Sequence, residues 1–203
     1  MGKVIVDLSM SLDGFITGPN DSIELPLGEG GEHLHDWIFS GSAERSGTSP
    51  RTSATGINRA IMEEAFRTTG ATIMGRRWFE LGEKPWGDDP PFHTPVFVLT
   101  HQARESITKG KTTFTFVTDG IQSALEQAQA AAGKDNVDVG GANVAQQYLR
   151  AGLIDEINIH LVPILLGDGV RLFNDLDKQQ MELDRIRVVI APEVTHLRFR
   201  VVK

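Results

Sequence analysis

Apolar and polar residues alternate from the start of the chain, with Val4, Val6, Leu8 and Met10 on one side and Ile5, Asp7, Ser9 and Ser11 on the other. That period of two predicts a half-buried strand. Asp13-Gly14 bends or bulges it, and Phe15-Ile16-Thr17 carries it on to a turn at Gly18-Pro19-Asn20-Asp21. The period becomes helical at Ile57, Ile61, Ala65 and Phe66, and Gly70 stops it. Residues 71–74 read as a short strand that delivers Gly75-Arg76-Arg77-Trp78-Phe79-Glu80. Two more buried strands follow at residues 95–100 and 114–118, the first preceded by a surface loop at Asp88-Asp89-Pro90-Pro91. Ile121, Ala124, Leu125, Ala128, Ala131 and Ala132 share one helical face, capped near Asp119 and closed by Gly133. The tail alternates about Ala191-Pro192-Glu193, with Leu197, Phe199 and Val201 on one side, which predicts an antiparallel hairpin.

Strands alternating with helices imply an α/β protein with a mostly parallel sheet covered on both faces and an antiparallel C-terminal edge. No internal repeat or domain boundary interrupts residues 1–203, so a single domain is expected. Between residues 28 and 55 the composition shifts to Gly, Ser, Thr and His, broken by His35-Asp36-Trp37-Ile38-Phe39. This predicts a short helical turn and then a mobile loop, together a flexible insertion.

Composition narrows the function classes. With 40% hydrophobic and 23% charged residues the chain is globular rather than disordered. A net charge of −7 with no dense Lys/Arg run argues against nucleic acid as a partner. The absence of cysteine excludes disulfides, thiolate metal sites and cysteine nucleophiles. No basic-then-apolar leader and no membrane-length apolar run is read, so a cytoplasmic location without membrane contact is expected.

Residues 137–173 carry the most chemical information. Val137 and Val139 form a strand that runs into Gly140-Gly141, and a helix follows at once with Val144, Ala145, Tyr148 and Leu149 on one face. Glycines at that junction let backbone approach a ligand closely, and the helix N-terminus adds partial positive charge, which suits a phosphate. Gly152-Leu153-Ile154-Asp155-Glu156 then opens a strand alternating Ile157, Ile159 and Leu161, and Pro163 leads to Leu165-Leu166-Gly167-Asp168-Gly169 and Phe173. This ordered string resembles the C-terminal core of the dihydrofolate-reductase-like fold. It is most similar to the C-terminal reductase domain of bifunctional riboflavin-biosynthesis deaminase-reductases, whose pattern runs Gly-Gly, helix, G-L-I-D-E, strand, P-x-x-L-G-x-G-x-x-L-F.

The resemblance implies a three-layer fold, NADPH as cofactor and a set of site residues. Gly140, Gly141, Ala142, Asn143 and Val144 match the pyrophosphate cradle, and Met74-Gly75-Arg76 matches a signature that helps bind the adenosine phosphate, with Arg77 beside it. Thr100-His101 falls where the family commonly has a small hydroxyl residue and then arginine, near the adenine-ribose end. His101 in that place leaves the choice between NADPH and NADH open. Ser11-Leu12-Asp13-Gly14 lies where the family's first strand passes the nicotinamide, so Asp13 is the candidate to orient or protonate substrate. Trp37 is a candidate cap on the substrate pocket. His33-Leu34-His35-Asp36 offers ligand-type residues but no wider cluster, so no metal is expected.

The implied activity is hydride transfer to a pyrimidine- or pterin-like small molecule, similar to 5-amino-6-(5-phosphoribosylamino)uracil reductase. Yet Ala71-Thr72-Ile73-Met74-Gly75-Arg76 is closer to dihydrofolate reductase than to that enzyme's D-A-x-x-x-G-x-x-T. The folate-site L-P-W and acidic helix are missing too, and Glu24-Leu25-Pro26-Leu27 does not replace them. A stand-alone reductase fits these mixed signals; a diverged dihydrofolate reductase and a non-catalytic NADPH sensor remain open. The apolar side of the C-terminal hairpin, at an expected sheet edge, predicts a homodimer.

Overall fold

The computed structural model describes residues 2–39, 56–174, 176 and 180–203. Among these, nine strands join in one sheet. Its centre is parallel, in the order β8 (Glu156–Val162), β1 (Val4–Ser11), β7 (Asn136–Gly140), β3 (Thr69–Gly75), β4 (Val96–Leu99) and β6 (Thr112–Val117). Antiparallel strands close both ends: β5 (Ile107–Lys109) pairs with β6, while β11 (Thr195–Val201) pairs with β8 and carries the outermost β10 (Leu183–Ile190). A separate small sheet pairs β2 (Phe15–Thr17) with β9 (Val170–Arg171).

Parallel neighbours need crossovers, and helices supply them. α2 (Gly56–Thr68) precedes β3, α3 (Arg76–Trp86) links β3 to β4, α4 (Gly120–Ala132) links β6 to β7, and α5 (Ala142–Arg150) links β7 to β8. Strand alternation sends Val4, Val6, Ile73, Val137 and Val139 to the face that α4 and α5 cover, where they meet Ala124, Leu125, Ala128, Val144 and Tyr148 in one buried cluster. On the other face α3 lays Phe79 against Met74, Val96, Val98 and Phe114.

Several expectations change in the fold. Gly70 does not end α2; it is the second residue of β3, where a Cβ would press within 2.8–2.9 Å of Ala132 and Asp135. Close packing on the end of α4, rather than helix termination, requires glycine there. Ala131 turns outward from α4, and Ile57 and Phe66 of α2 remain about half exposed. Of the expected insertion, Gly31–His35 is a 3-10 helix that runs into α1 (Asp36–Phe39). Leu34 and Trp37 are buried there with Val162, Ala191 and Val194, so this part is anchored core. Residues 40–55, the rest of that expected loop, lie outside the described residues.

The C-terminal hairpin forms as anticipated, but the apolar row moves. Leu197 and Val201 sit on the inner strand β11 and pack against the core, whereas Ile186, Val188 and Ile190 are exposed on the edge strand β10. Among the described residues no helix is long and apolar enough to cross a membrane.

Candidate active site

The registers Met74↔Gly140, Gly75↔Leu99 and Leu99↔Val117 bring the carboxyl ends of β7, β3, β4 and β6 to one edge of the sheet. In open parallel sheets that edge is where ligands bind. Gly141 turns β7 into α5 with φ +84°, a conformation L side chains rarely adopt. The first α5 bond runs from Ala145 N–H to Gly141 O at 3.0 Å. The N–H groups of Ala142, Asn143 and Val144 therefore precede the helical ladder, at the positive end of the helix dipole. Gly75 faces them from β3, and a Cβ there would come within 3.2 Å of Val144. These groups line an open cleft of roughly 850 Å³, closed on its other side by Ile16, Thr17, Pro26, Leu27 and Val170.

A second open cavity, roughly 990 Å³ including the space at its mouth, adjoins the cleft. Leu8, Ser9, His35 and Trp78 line both. Its walls are largely flat and apolar (Trp37, Phe66, Trp78, Phe92), and no Lys or Arg lines it among the described residues. Trp78 can lie between the two spaces because Gly140 has no side chain; a Cβ there would overlap the indole ring.

The expected site residues divide by position. Gly75, Arg77, Gly141, Ala142, Asn143 and Val144 line the cleft. Arg77 holds the Asp21 carboxylate through Nε and a terminal nitrogen at 2.8 and 2.7 Å. Gly140 stands behind the cleft, under Trp78. Arg76 points away, half exposed and bonded to Glu80 at 2.9 Å. Thr100 follows β4, where its hydroxyl accepts the Gln102 N–H at 3.0 Å, and His101 is exposed; neither lines the cleft. Trp37 is a buried wall of the second cavity, its Nε1 donating to Ser9 Oγ at 3.0 Å.

Asp13 lines neither space. Its carboxylate accepts from Ser11 Oγ at 2.6 Å and from the backbone N–H groups of Leu166 and Gly167 at 3.1 and 2.7 Å. The Ser11 bond, followed by those backbone donors, lowers its pKa to about 2. With Arg171 donating to the Asp13 carbonyl at 2.7 Å, this residue clamps the β1–β2 turn to the loop before β9. The geometry is that of a positioning residue, which keeps Thr17 and Val170 at the cleft wall.

The chemistry on the α2 side of the sheet comes from residues that the motifs did not single out. Asp7, Asn158, His160, His196 and Asp138 share this face of β1, β8, β11 and β7. His160 Nε2 donates to Asp7 Oδ1 at 2.7 Å, and Asn158 donates to Asp7 Oδ2 at 2.9 Å. His196 Nε2 donates to the side-chain Oδ1 of Asn58 at 3.1 Å. The Nδ1 atoms of His160 and His196 face each other at 2.7 Å, so one proton lies between them. Burial, with His160 adding to it, brings His196 down to about 4. Burial alone would raise Asp7, but His160 and Asn158 bring it below the usual carboxylate range. Asp138 is the opposite case. Burial pushes its carboxyl well above that range, the negative Asp7 adds to the push, and its Oδ1 has no hydrogen-bond partner among the described residues.

Residues 2–195 match the family model of the RibD C-terminal domain. This chain belongs to that family. Solved structures agree on its dihydrofolate-reductase-like fold. A Shewanella sp. PV-4 protein named for riboflavin biosynthesis superposes with a TM-score of 0.71 at 22% identity, over 99% of each chain. The Thermotoga maritima diaminohydroxyphosphoribosylaminopyrimidine deaminase/5-amino-6-(5-phosphoribosylamino)uracil reductase gives 0.63 at 13% identity, over 99% of this chain and 57% of that one. Enterococcus faecalis dihydrofolate reductase, complexed with NADP(H) and RAB-propyl, gives 0.57 at 13%, over 100% and 98%.

Within this RibD C-terminal domain a sequence signal for the missed residues exists. Glu156, Asn158 and His160 alternate along β8 as Asp7 and Ser9 do along β1, so two central strands each carry a polar side. A parallel sheet covered on both faces ordinarily has none. His35 lines both cavities, its Nδ1 is buried without a partner among the described residues, and burial pushes its pKa down.

Two outcomes test this geometry. Gly140→Ala should cost roughly 1–3 kcal/mol in urea denaturation, and much less in a Trp78→Ala background, because the overlap then disappears. For Asp13 the folded pKa lies below the ordinary 3.8, so its stabilisation is present above that pH and is lost as pH falls towards about 2. Asp13→Asn should lower the melting temperature at neutral pH, and thermal melts should show its difference from the parent vanishing near the acid end.

Proposed function

We propose that this chain is an NADPH-dependent reductase acting on a small planar heterocycle of the pyrimidine or pterin type. The observation that supports it is a glycine-lined cleft at a helix N-terminus sharing walls with an aromatic cavity. When bound, NADPH supplies a hydride from its nicotinamide. The chain's own part is placement. The Ala142, Asn143 and Val144 N–H groups would hold the pyrophosphate, with Gly75 and Gly141 allowing close approach. Arg77 at the cleft would serve the adenosine-side phosphate, which Arg76, now held by Glu80, would reach only by releasing that carboxylate. Trp78, which lines both spaces, would flank the junction where cofactor and substrate meet and exclude water there. A sensor needs only the cleft; the adjoining cavity with buried polar atoms on its walls favours turnover.

Titration calorimetry with NADPH and NADH checks the proposal. Arg77→Ala should weaken both cofactors, and Arg76→Ala should weaken NADPH more than NADH, each loss being roughly tenfold to hundredfold for a charged hydrogen bond. Binding of neither cofactor by the parent chain would end it.

The protein should also pair with a second copy across β10, where Ile186, Val188 and Ile190 leave an apolar row on a free sheet edge. Light scattering should give twice the chain mass of 22.3 kDa. A monomer at high concentration refutes this arrangement.

A further inference from the structure

We propose that Asp138 is the proton donor of the reaction, and that the second cavity takes an unphosphorylated, planar heterocycle with a ring nitrogen able to accept that proton. This rests on the reductase reading of the adjoining cleft.

The geometry comes from strand register. Asp138 lies opposite Thr72 of β3 and Ile5 of β1, on the face of the sheet away from α4 and α5, and three residues before the cleft glycine Gly141. It lines the second cavity, and Oδ1 is buried with no partner among the described residues. Two other buried polar atoms without partners among the described residues belong to the same cavity, Thr94 Oγ1 and His35 Nδ1. Buried polar atoms without partners are rare, and three around one space mark it as built for a polar ligand.

The charges around Asp138 decide its protonation. Asp7 on β1 is a carboxylate, already paired with His160 of β8. From α2, Glu64 faces the same side but is held by Arg187 and Arg198 of the C-terminal hairpin. His196 of β11 is neutral, and Arg198 also binds the buried Glu156. No cation is left to pair with Asp138 among the described residues, and a second anion beside Asp7 is unfavourable, so the carboxyl keeps its proton.

A protonated carboxyl is what reduction of a C=N bond requires. The bond's carbon gains the hydride and its two electrons from the dihydronicotinamide, while its nitrogen gains the Asp138 proton. The products are a C–H and an N–H bond, an oxidised nicotinamide and an Asp138 carboxylate. That carboxylate, now a second negative charge next to Asp7, recovers a proton from solvent through the open cavity. The walls define the rest of the substrate. Trp37, Trp78 and Phe92 suit a flat ring, and a phosphoester would meet no Lys or Arg among the described lining residues.

The test uses the full chain without cofactor, and 2-aminopyridine as probe, whose ring nitrogen and amine match the two oxygens of a carboxyl. At a pH well above the probe's own pKa, the bound probe should show the ultraviolet spectrum of its protonated form. Asp138→Asn should abolish that spectrum and weaken binding roughly tenfold to hundredfold, while Glu126→Gln, exposed on α4 at the opposite face of the sheet, leaves both unchanged. Carbon-13 NMR of labelled aspartate in the unaltered protein should find one carboxyl protonated at neutral pH, a resonance that Asp138→Asn or Asp138→Ser removes. An ionised Asp138, equal affinity in the variants, no probe binding by the parent, or displacement of the probe by inorganic phosphate at matched ionic strength would each overturn the proposal. Cofactor titration reads the reductase assignment separately, so either can fail without the other.

Discussion

The contact between Trp78 and Gly140 holds the two halves of the site in place. Parallel pairing of β3 with β7 in the register Met74↔Gly140 forces the first turn of α3 against the end of β7. Two backbones and an indole meet there, and only a residue without a Cβ fits under the ring. The same register sets the start of α5 beside Gly75. One strand pairing thereby creates the helix N-terminus that faces the cleft, the partition between cleft and cavity, and the approach of β3 to both.

The two faces of the sheet do different work. Under α4 and α5 the side chains are apolar and closely packed, and this layer supplies most of the burial that stabilises the fold. Under α2 the sheet carries Asp7, Asn158, His160, His196 and Asp138. Such groups cost stability unless bonded, and most of them are, through the Asp7–His160–His196–Asn58 chain. Three of the atoms left without partners among the described residues, on Asp138, His35 and Thr94, gather at one cavity. The unfavourable part of the structure is thus concentrated where a ligand can offset it.

Local geometry was legible in the sequence where backbone pattern and chain order coincide. Gly140, Gly141 and the face of α5 were legible because a strand, two glycines and a helical period are contiguous. Met74-Gly75-Arg76 was legible for the same reason, although Arg77, and not Arg76, is the arginine that lines the cleft. Asp13 was noticed as a carboxylate past a strand, but its oxygens are occupied by Ser11 and two backbone N–H groups from a loop more than 150 residues away. Nothing local reveals that a carboxylate is already bonded.

By itself the sequence determined the alternation of strands and helices, the parallel sheet with its C-terminal hairpin, and the strand–glycine–helix junction, because each depends on local period and local backbone freedom. Tertiary structure alone decided which polar residues meet. Asp7, His160 and His196 stand 36 to 153 residues apart in bonded pairs, and cross-strand register puts them within hydrogen-bond reach. Whether Asp138 is charged depends on its burial and on the neighbour at Asp7, and neither can be read from Val-Asp-Val in one strand. Proton affinity is a property of the surroundings in space, and only the folded chain specifies them.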